Sequence, residues 1–514
     1  EAIDSAVAQL GARFDREHGG FGRAPKFPQP SILELMLRHH RRTGDAASLQ
    51  MATSTLEAMA AGGIRDHVGG GFHRYATDRQ WRIPHFEKML YDNAQLAVVY
   101  LEAFQVTGRH DFADVVREIL FYVSREMTSP EGAFYSATDA DSLSPGGHEE
   151  EGRFFTWTPA EVREVLGPDD AAAFGSAFSV TEPGNLEGRS VLARPMRPAG
   201  VERTFAQEEL ELALARSRAR LYLARARRVP PLRDDKILVS WNGLMISAMA
   251  RASFVLAEAE HLERAARAAA FLLDRLRSGD GRLRRVFAGG VAHQAGMLDD
   301  YAFLIQALLD LFEAGADPKW LRAAITLQSL QDEHHGDPSG GYFLVADDHE
   351  PLLARAKPSY DGAEPSGNSV AALNLLRLAE LTQDEGYRQR ADALLAAFGQ
   401  ILTRSPAAVP KMLGALDYRI GPAREVVIVA PDRLEDAGDL LDVVRATFLP
   451  RHAFAFTVAG EQLEDLAELV PLVDSKLAID GRATAYVCER GRCERPAQEP
   501  GLLATQLAAG EGPR

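Results

Sequence analysis

The 514-residue sequence contains only two cysteines, Cys488 and Cys493. That is too few for the disulfide framework of a small secreted domain, so a reducing, cytoplasmic setting is expected. The two are read as inert thiols, with a reversible disulfide or a soft-metal site as the alternatives. No run of about eighteen apolar residues is present, so no membrane span is expected. Positive charge is in deficit: 57 Lys and Arg against 73 Asp and Glu leave a net charge of −16, which argues against a partner held by phosphate neutralisation, such as nucleic acid. Also missing are a G-x-x-x-x-G-K-[ST] phosphate loop, an H-E-x-x-H zinc motif and a C-x-x-C thiol pair, and no cofactor or metal is expected. The chain opens at Glu1 with neither methionine nor a signal-like apolar stretch, as a processed or truncated product would.

What is present is helical periodicity. Up to about residue 420, two kinds of helix alternate. Segments with one charged face (Asp4–Glu17, Ala46–Ala61, Asp111–Met127, Ala206–Arg227, Leu262–Leu276, Lys319–Gln331, Tyr387–Leu402) belong outside. Segments apolar around most of their girth (Ile32–Leu37, Phe86–Phe104, Leu244–Leu256, Leu298–Phe312, Val370–Leu381) belong inside. Ser31 and Glu34 have the spacing of a capping box. Gly-aromatic segments (His18–Gly22, Gly69–Tyr75, Glu131–Ser136, Gly340–Val345) punctuate the alternation as turns and short strands. Repeats of about 50–65 residues predict six or seven inner–outer hairpins. These close either into an α/α toroid or into an open solenoid, and loops suited to lining a mouth favour the toroid. From about Gly421 the pattern changes to that of a small βαβ unit running to residue 500, with strands at Glu425–Ala430, Ala453–Gly460 and Thr484–Glu489, followed by a tail over 501–514.

If the inner helices run parallel, their N-termini converge with the long loops at one mouth, where unpaired N–H groups favour polar ligands. His85 and Asp92, Asp235, Trp241 and Asn242, Asp300 and Tyr301, and Glu364 and Asn368 all fall there. Many of these residue types are also ordinary helix caps. His85 is the first candidate acid/base, because imidazole titrates near neutrality. Asp139 and Asp141 form a loop carboxylate pair of the kind glycoside hydrolysis uses. Glu149–Glu151 read as solvated loop acid. Trp81, Trp157 and Trp241, with Phe72, Tyr75, Tyr135, Tyr301, Tyr342 and Tyr360, suit either a stacked polyhydroxylated ligand or plain loop packing.

The segments HGGFGRAPKFPQP, DHVGGGFHRYATDRQWRIPHFEKMLYDNAQL, FYSATDADS, LVSWNGLMISAMA and KPSYDGAEPSGNSVAALNLLRLA resemble the bacterial-to-animal family that includes spermatogenesis-associated protein 20, over almost the whole chain. The resemblance implies a mainly α (α/α)6 barrel, like that of six-hairpin glycosidases and of N-acylglucosamine and cellobiose 2-epimerases. It also implies an N-terminal thioredoxin-like domain ahead of this region. The resulting expectation is a carbohydrate-active barrel. In an epimerase-like version His85 exchanges a proton next to a carbonyl; in a hydrolytic version Asp141 and Asp300 are the carboxylates. Trp241 and Tyr301 would be stacking walls, while Asp92, Asp235, Asn242, Glu364 and Asn368 would hold hydroxyls. The alternative is a non-catalytic recognition or scaffolding module serving a thioredoxin-like domain or protein.

Overall fold

The computed structural model describes residues 1–144, 146–196, 200, 204–350 and 353–508. Helix α1 (Ala2–Arg13) stands outside. Then come the hairpins α2 (Pro30–Thr43) with α3 (Ala46–Ala61) and α4 (Leu90–Thr107) with α5 (His110–Glu126). An excursion of α6 (Pro159–Leu166), α7 (Pro168–Phe178) and α8 (Phe205–Arg225) follows. The hairpins resume with α9 (Val239–Leu256) and α10 (Ala259–Arg275), α11 (Leu298–Gly315) and α12 (Pro318–His335), and α13 (Gly367–Thr382) and α14 (Glu385–Ala397). Short α15 (Gly399–Arg404) leads into α16 (Pro410–Ile420).

The inner members touch in a closed circle: α2 on α4, α4 on α9, α9 on α11, α11 on α13, α13 on α16, and α16 back on α2. The toroid therefore closes on six inner helices, and α1, from the start of the chain, packs beside α16 as the sixth outer helix. Burial explains the sorting. Along α4 every residue from Leu90 to Ala103 is buried, whereas α5 buries one stripe (Phe112, Val115, Val116, Ile119, Leu120, Tyr122, Val123).

Several details differ from the sequence expectations. Phe86–Met89 is extended rather than helical, because Pro84–His85 pairs with Tyr75–Ala76 and Lys88–Met89 with Ala137–Thr138. The sixth inner helix, α16, is short and Pro-flanked, and no sequence expectation covered it. Helix α8, expected as an outer member of a hairpin, instead lies over α5: Arg218 pairs with Glu118 at 2.8 Å, and Tyr222 packs on Arg125. Glu34 caps nothing; it is buried and pairs with Lys411 at 2.6 Å.

One turn recurs after five outer helices, and it carries the Gly-aromatic segments. A residue at its start bonds back to the turn: Asp15 N to Gly20 O, Asp66 N to Gly71 O, Ser129 N to Ala133 O, Ser278 N to Arg282 O and Asp337 N to Gly341 O. In the three copies that start with aspartate, a lysine bridges that carboxylate and a turn carbonyl. Lys26 binds Asp15 (2.7 Å) and Gly19 O, Lys88 binds Asp66 (2.7 Å) and Gly70 O, and Lys357 binds Asp337 (2.8 Å) and Gly340 O. Gly71 has a positive φ of 75°, and a Cβ there would lie 2.6 Å from the Tyr122 ring, so the turn needs glycine both for conformation and for space.

Residues from Arg424 on build a four-stranded sheet. Arg424–Ala430 is central, parallel to His452–Val458 and antiparallel to Thr484–Glu489, with Arg492–Cys493 at the edge. Period-2 alternation sets its faces. Val427 and Val429 join the barrel core, while Val426 and Ile428 pack under α17 (Gly438–Ala446) and α18 (Pro500–Ala508). Residues 501–508, read from sequence as tail, are thus helical and bury Leu503 and Leu507; 509–514 lie outside the described residues. Cys488 and Cys493 sit directly opposite each other in the antiparallel register and form a disulfide. That corrects their reading as free thiols: the hairpin places the two sulfurs within bonding reach. No described helix is long and apolar enough to cross a membrane.

Candidate functional site at the barrel mouth

The N-termini of α4, α9, α11 and α13 meet at one end of the barrel. Tyr91, in the first turn of α4, lies edge-on to Trp241 of α9 with ring centroids 4.8 Å apart. The Trp241 indole donates to Glu364 Oε2 at 2.8 Å. Glu364 lies just before α13, and Gln95 of α4 donates to the neighbouring Ala363 carbonyl at 2.8 Å. Asp299 of α11 accepts from the Gly367 backbone.

Three carboxyls here are held toward their neutral form. Burial, reinforced by nearby Asp299, pushes Glu364 up to about 7. Burial and the Asp300 charge push Asp299 to about 6. Asp92 is raised well above the usual carboxylate range by burial, with Glu364 and Glu87 adding to it, and its Oδ2 has no hydrogen-bond partner. Converging helix N-termini favour the ionised form by about 0.3–1 kcal/mol each, and desolvation outweighs them. The mouth thus holds protonatable acids beside an aromatic wall.

A polar relay links this wall to the rim. Arg74 donates to Glu87 at 2.9 Å and also bonds Tyr91. Glu87 lies 3.3 Å from His85 Nε2, and His85 Nδ1 meets Glu151 at 2.7 Å. His85 is half-buried and stacks on Tyr75, which in turn stacks on Phe27. Asp141 is exposed on the hairpin that carries Glu151, directly opposite it in register. Its carboxyl is raised by burial and by Asp139 and Glu151, and lowered by His85.

Other residues singled out from sequence serve the frame. Asn242 accepts from Phe134 N and donates to the carbonyls of Phe134 and Leu238. Asn368 does the same with Tyr342 N, Tyr342 O and Pro358 O. Asn93 repeats the pattern with Phe72 N, Phe72 O and Met89 O. Each clamps the aromatic of a Gly-aromatic turn to an inner helix, leaving no amide hydrogen for a ligand. In α11 the equivalent position is Tyr301, whose hydroxyl accepts from Leu283 N, so its ring is buried away from the mouth. Asp300 is completely buried, accepts from Ser240 N and Met297 N, and pairs with Arg285 at 3.1 Å. Asp235 is exposed and pairs with Arg233. Trp81 and Trp157 are fully buried, Trp81 donating to His18 O and Trp157 lying under Arg228.

The structure therefore brings together Asp92, Trp241, Asp299 and Glu364, all at inner-helix starts in the sequence, and adds Tyr91 and Arg74, which sequence reading passed over. A usable signal existed for Tyr91: it neighbours Asp92 at an inner-helix start. Arg74 carried none, since its role depends on a loop fold. Among the described residues no group of three or more His, Cys, Asp or Glu could hold a metal ion.

No model of a known protein family matches the chain. Among curated proteins it is 38% identical over 529 residues to spermatogenesis-associated protein 20 of Rattus norvegicus, covering 96% of this chain and 67% of that one. The Homo sapiens protein of the same name is 38% identical over 532 residues, with the same coverage. An uncharacterized protein of Caenorhabditis elegans is 32% identical over 530 residues, covering 96% of this chain and 72% of its own. Among solved structures, a D-mannose isomerase superposes with a TM-score of 0.52 at 10% identity, covering 82% of this chain and 96% of that one. A cellobiose 2-epimerase from Bacillus thermoamylovorans superposes with a TM-score of 0.50 at 11% identity, covering 77% and 86%. At such identities the likeness is one of fold: the (α/α)6 toroid.

Proposed function

We propose, from the premise that this chain belongs to the spermatogenesis-associated protein 20 family, that its barrel mouth binds a carbohydrate and that Glu364 exchanges a proton with it. The observation that carries this reading is the Glu364 carboxyl, held at about 7 and bonded to the Trp241 indole, with Asp299 and Asp92 beside it. A group that titrates near neutrality serves equally as proton donor and acceptor. The edge-on Tyr91–Trp241 pair supplies an apolar wall for the C–H face of a sugar ring, and neutral carboxyls beside it donate to hydroxyls. The solved structures that share the toroid include proteins named for sugar epimerisation and isomerisation, reactions that move a proton next to a carbonyl. His85 and Asp141, on the rim, would meet the part of the ligand that projects outward. Asn242, Asn368, Tyr301 and Asp300 would act by holding the wall in place.

Incubation with a panel of reducing sugars in deuterated water tests this. The expected result is solvent deuterium at the carbon next to the carbonyl, lost in Glu364→Gln. A panel giving neither label nor sugar-dependent thermal stabilisation of the folded chain would overturn it.

A further inference from the structure

The far end of the barrel carries a cavity, independent of the mouth. The sheet domain caps the C-terminal ends of the inner helices: Arg38 donates to Pro450 O at 2.9 Å, Tyr418 to His452 O at 2.7 Å and Gln105 to Arg445 O at 2.7 Å. Between cap and barrel lies a cavity of about 120 Å³. At about 10–15 Å³ per water-sized occupant, it accommodates roughly ten non-hydrogen atoms.

Its lining is divided in chemistry. On the barrel side, Arg251 pairs with Glu102 at 2.7 Å, with Arg38 3.6 Å from the same oxygen. Arg377 bridges Asp310 at 2.8 Å and Glu313 at 2.7 Å. On the cap side and at the helix ends Phe254, Phe448 and Phe454 supply an apolar wall, with Thr447 and His452 as its polar members.

Both ion pairs are incompletely satisfied. Glu102 uses one carboxylate oxygen, and its Oε2 has no partner although its side chain is 1% exposed. Glu313 shares Oε2 between Arg377 and His452, and its Oε1 is unpartnered. A buried acceptor without a donor is destabilising, because it has given up its water and gained nothing, so two of them lining one cavity call for a donor from outside the chain. A net charge placed there would lack compensation, because the lining acids and guanidinium groups already offset each other.

We propose that this cavity binds a small zwitterion of the α-amino-acid class. Its ammonium would donate to the free oxygens of Glu102 and Glu313. Its carboxylate would lie against the Arg38 and Arg251 guanidinium groups, and its apolar side chain against Phe254 and Phe454. Neither the sugar nor the proton exchange assigned to the mouth enters this proposal.

The test is calorimetric titration of the folded chain with leucine, phenylalanine and methionine, each beside its N-acetyl and methyl-ester form, and with glucose and glycerol. At least one free amino acid is expected to bind. Blocking either charged end should weaken it at least tenfold, and Glu313→Gln should do the same. Thr447→Trp, which places a large ring at a cap-side lining position, should abolish binding while the chain keeps its cooperative urea unfolding transition. Absence of amino-acid binding up to 10 mM (about the weakest affinity worth the name) would overturn the proposal. So would equal binding of the blocked forms, or preferential binding of glucose or glycerol. The blocked-ligand comparison uses the wild-type chain, so it decides the matter even if a variant fails to fold.

Discussion

Trp241 and Glu364 come from segments 123 residues apart and meet through a 2.8 Å hydrogen bond from the indole to the carboxyl. The bond has two effects. It fixes the plane of the aromatic wall at the mouth, and it counters part of the upward push that burial exerts on the carboxyl. Replacing Glu364 by Gln keeps the hydrogen-bond acceptor but removes the titrating proton, so proton exchange with a bound sugar should fall by about 10²-fold or more with little change in binding. Trp241→Phe removes the donor that lowers the Glu364 pKa, so the pH at which exchange is half-maximal should move upward. A profile that keeps its midpoint in Trp241→Phe counts against the role given to this bond.

Stability should also record the raised carboxyls. Glu364 moves from an ordinary 4.5 to about 7, and Asp299 from 3.8 to about 6. Between those limits the folded chain binds more protons than the unfolded one, so their contribution to stability is largest at low pH and declines as pH rises through about 3.8 to 7. Glu118 and Glu313 act in the opposite sense. Burial raises them, but the ion pairs of Arg65 with Glu118 and Arg377 with Glu313 more than offset it and hold each at about 2, so their contribution is lost below about 4.5. In urea unfolding at pH 4.5 and 7.5, Glu364→Gln should gain on wild type at the higher pH. A gap independent of pH would refute the assignment.

The asparagine clamps set a different scale. Asn242→Ala strands the buried N–H and C=O of Phe134, and at about 1–3 kcal/mol per unsatisfied group the loss should be about 3 kcal/mol in urea unfolding. Tyr301→Phe strands one backbone N–H, that of Leu283, and should cost about half as much. Equal costs would mean that ring packing, rather than the clamp, dominates.

Asp66 sits between Lys88 at 2.7 Å and Arg225 at 2.9 Å, all three side chains at most 4% exposed. Asp66→Asn leaves two buried cations with no carboxylate and should cost about 3–5 kcal/mol. Removing one cation as well, in Asp66→Asn/Lys88→Met, should recover part of that. A double variant no more stable than the single one would show that the cations are not the source of the loss.

The inner and outer helices were readable wherever an apolar girdle or stripe ran for several turns, as in Leu298–Phe312 and Ala46–Ala61. α16 escaped notice because eleven residues flanked by proline give too few turns for a period to stand out. Phe86–Met89 carries helical spacing and is nevertheless extended, since a buried lysine reaching Asp66 and two strand pairings override a local preference. For the mouth, Asp92, Trp241 and Glu364 could be found from their places at helix starts. The same rule also selected Asn242, Asn368, Asp300 and Tyr301, whose side chains are spent on backbone groups, because residue type and position do not reveal which partner a polar atom takes.

Local periodicity and turn chemistry thus decide, residue by residue, that this chain makes amphipathic and fully apolar helices joined by Gly-aromatic turns, since those preferences act within a few residues. Ring closure was settled elsewhere, by α16 packing back on α2 and on α1 from the other end of the chain. So were the Trp241–Glu364 bond and the capped cavity, each of which joins segments whose meeting depends on packing over the whole toroid. The proton affinity of Glu364 belongs to the same class, because desolvation is a property of the neighbourhood and not of the residue.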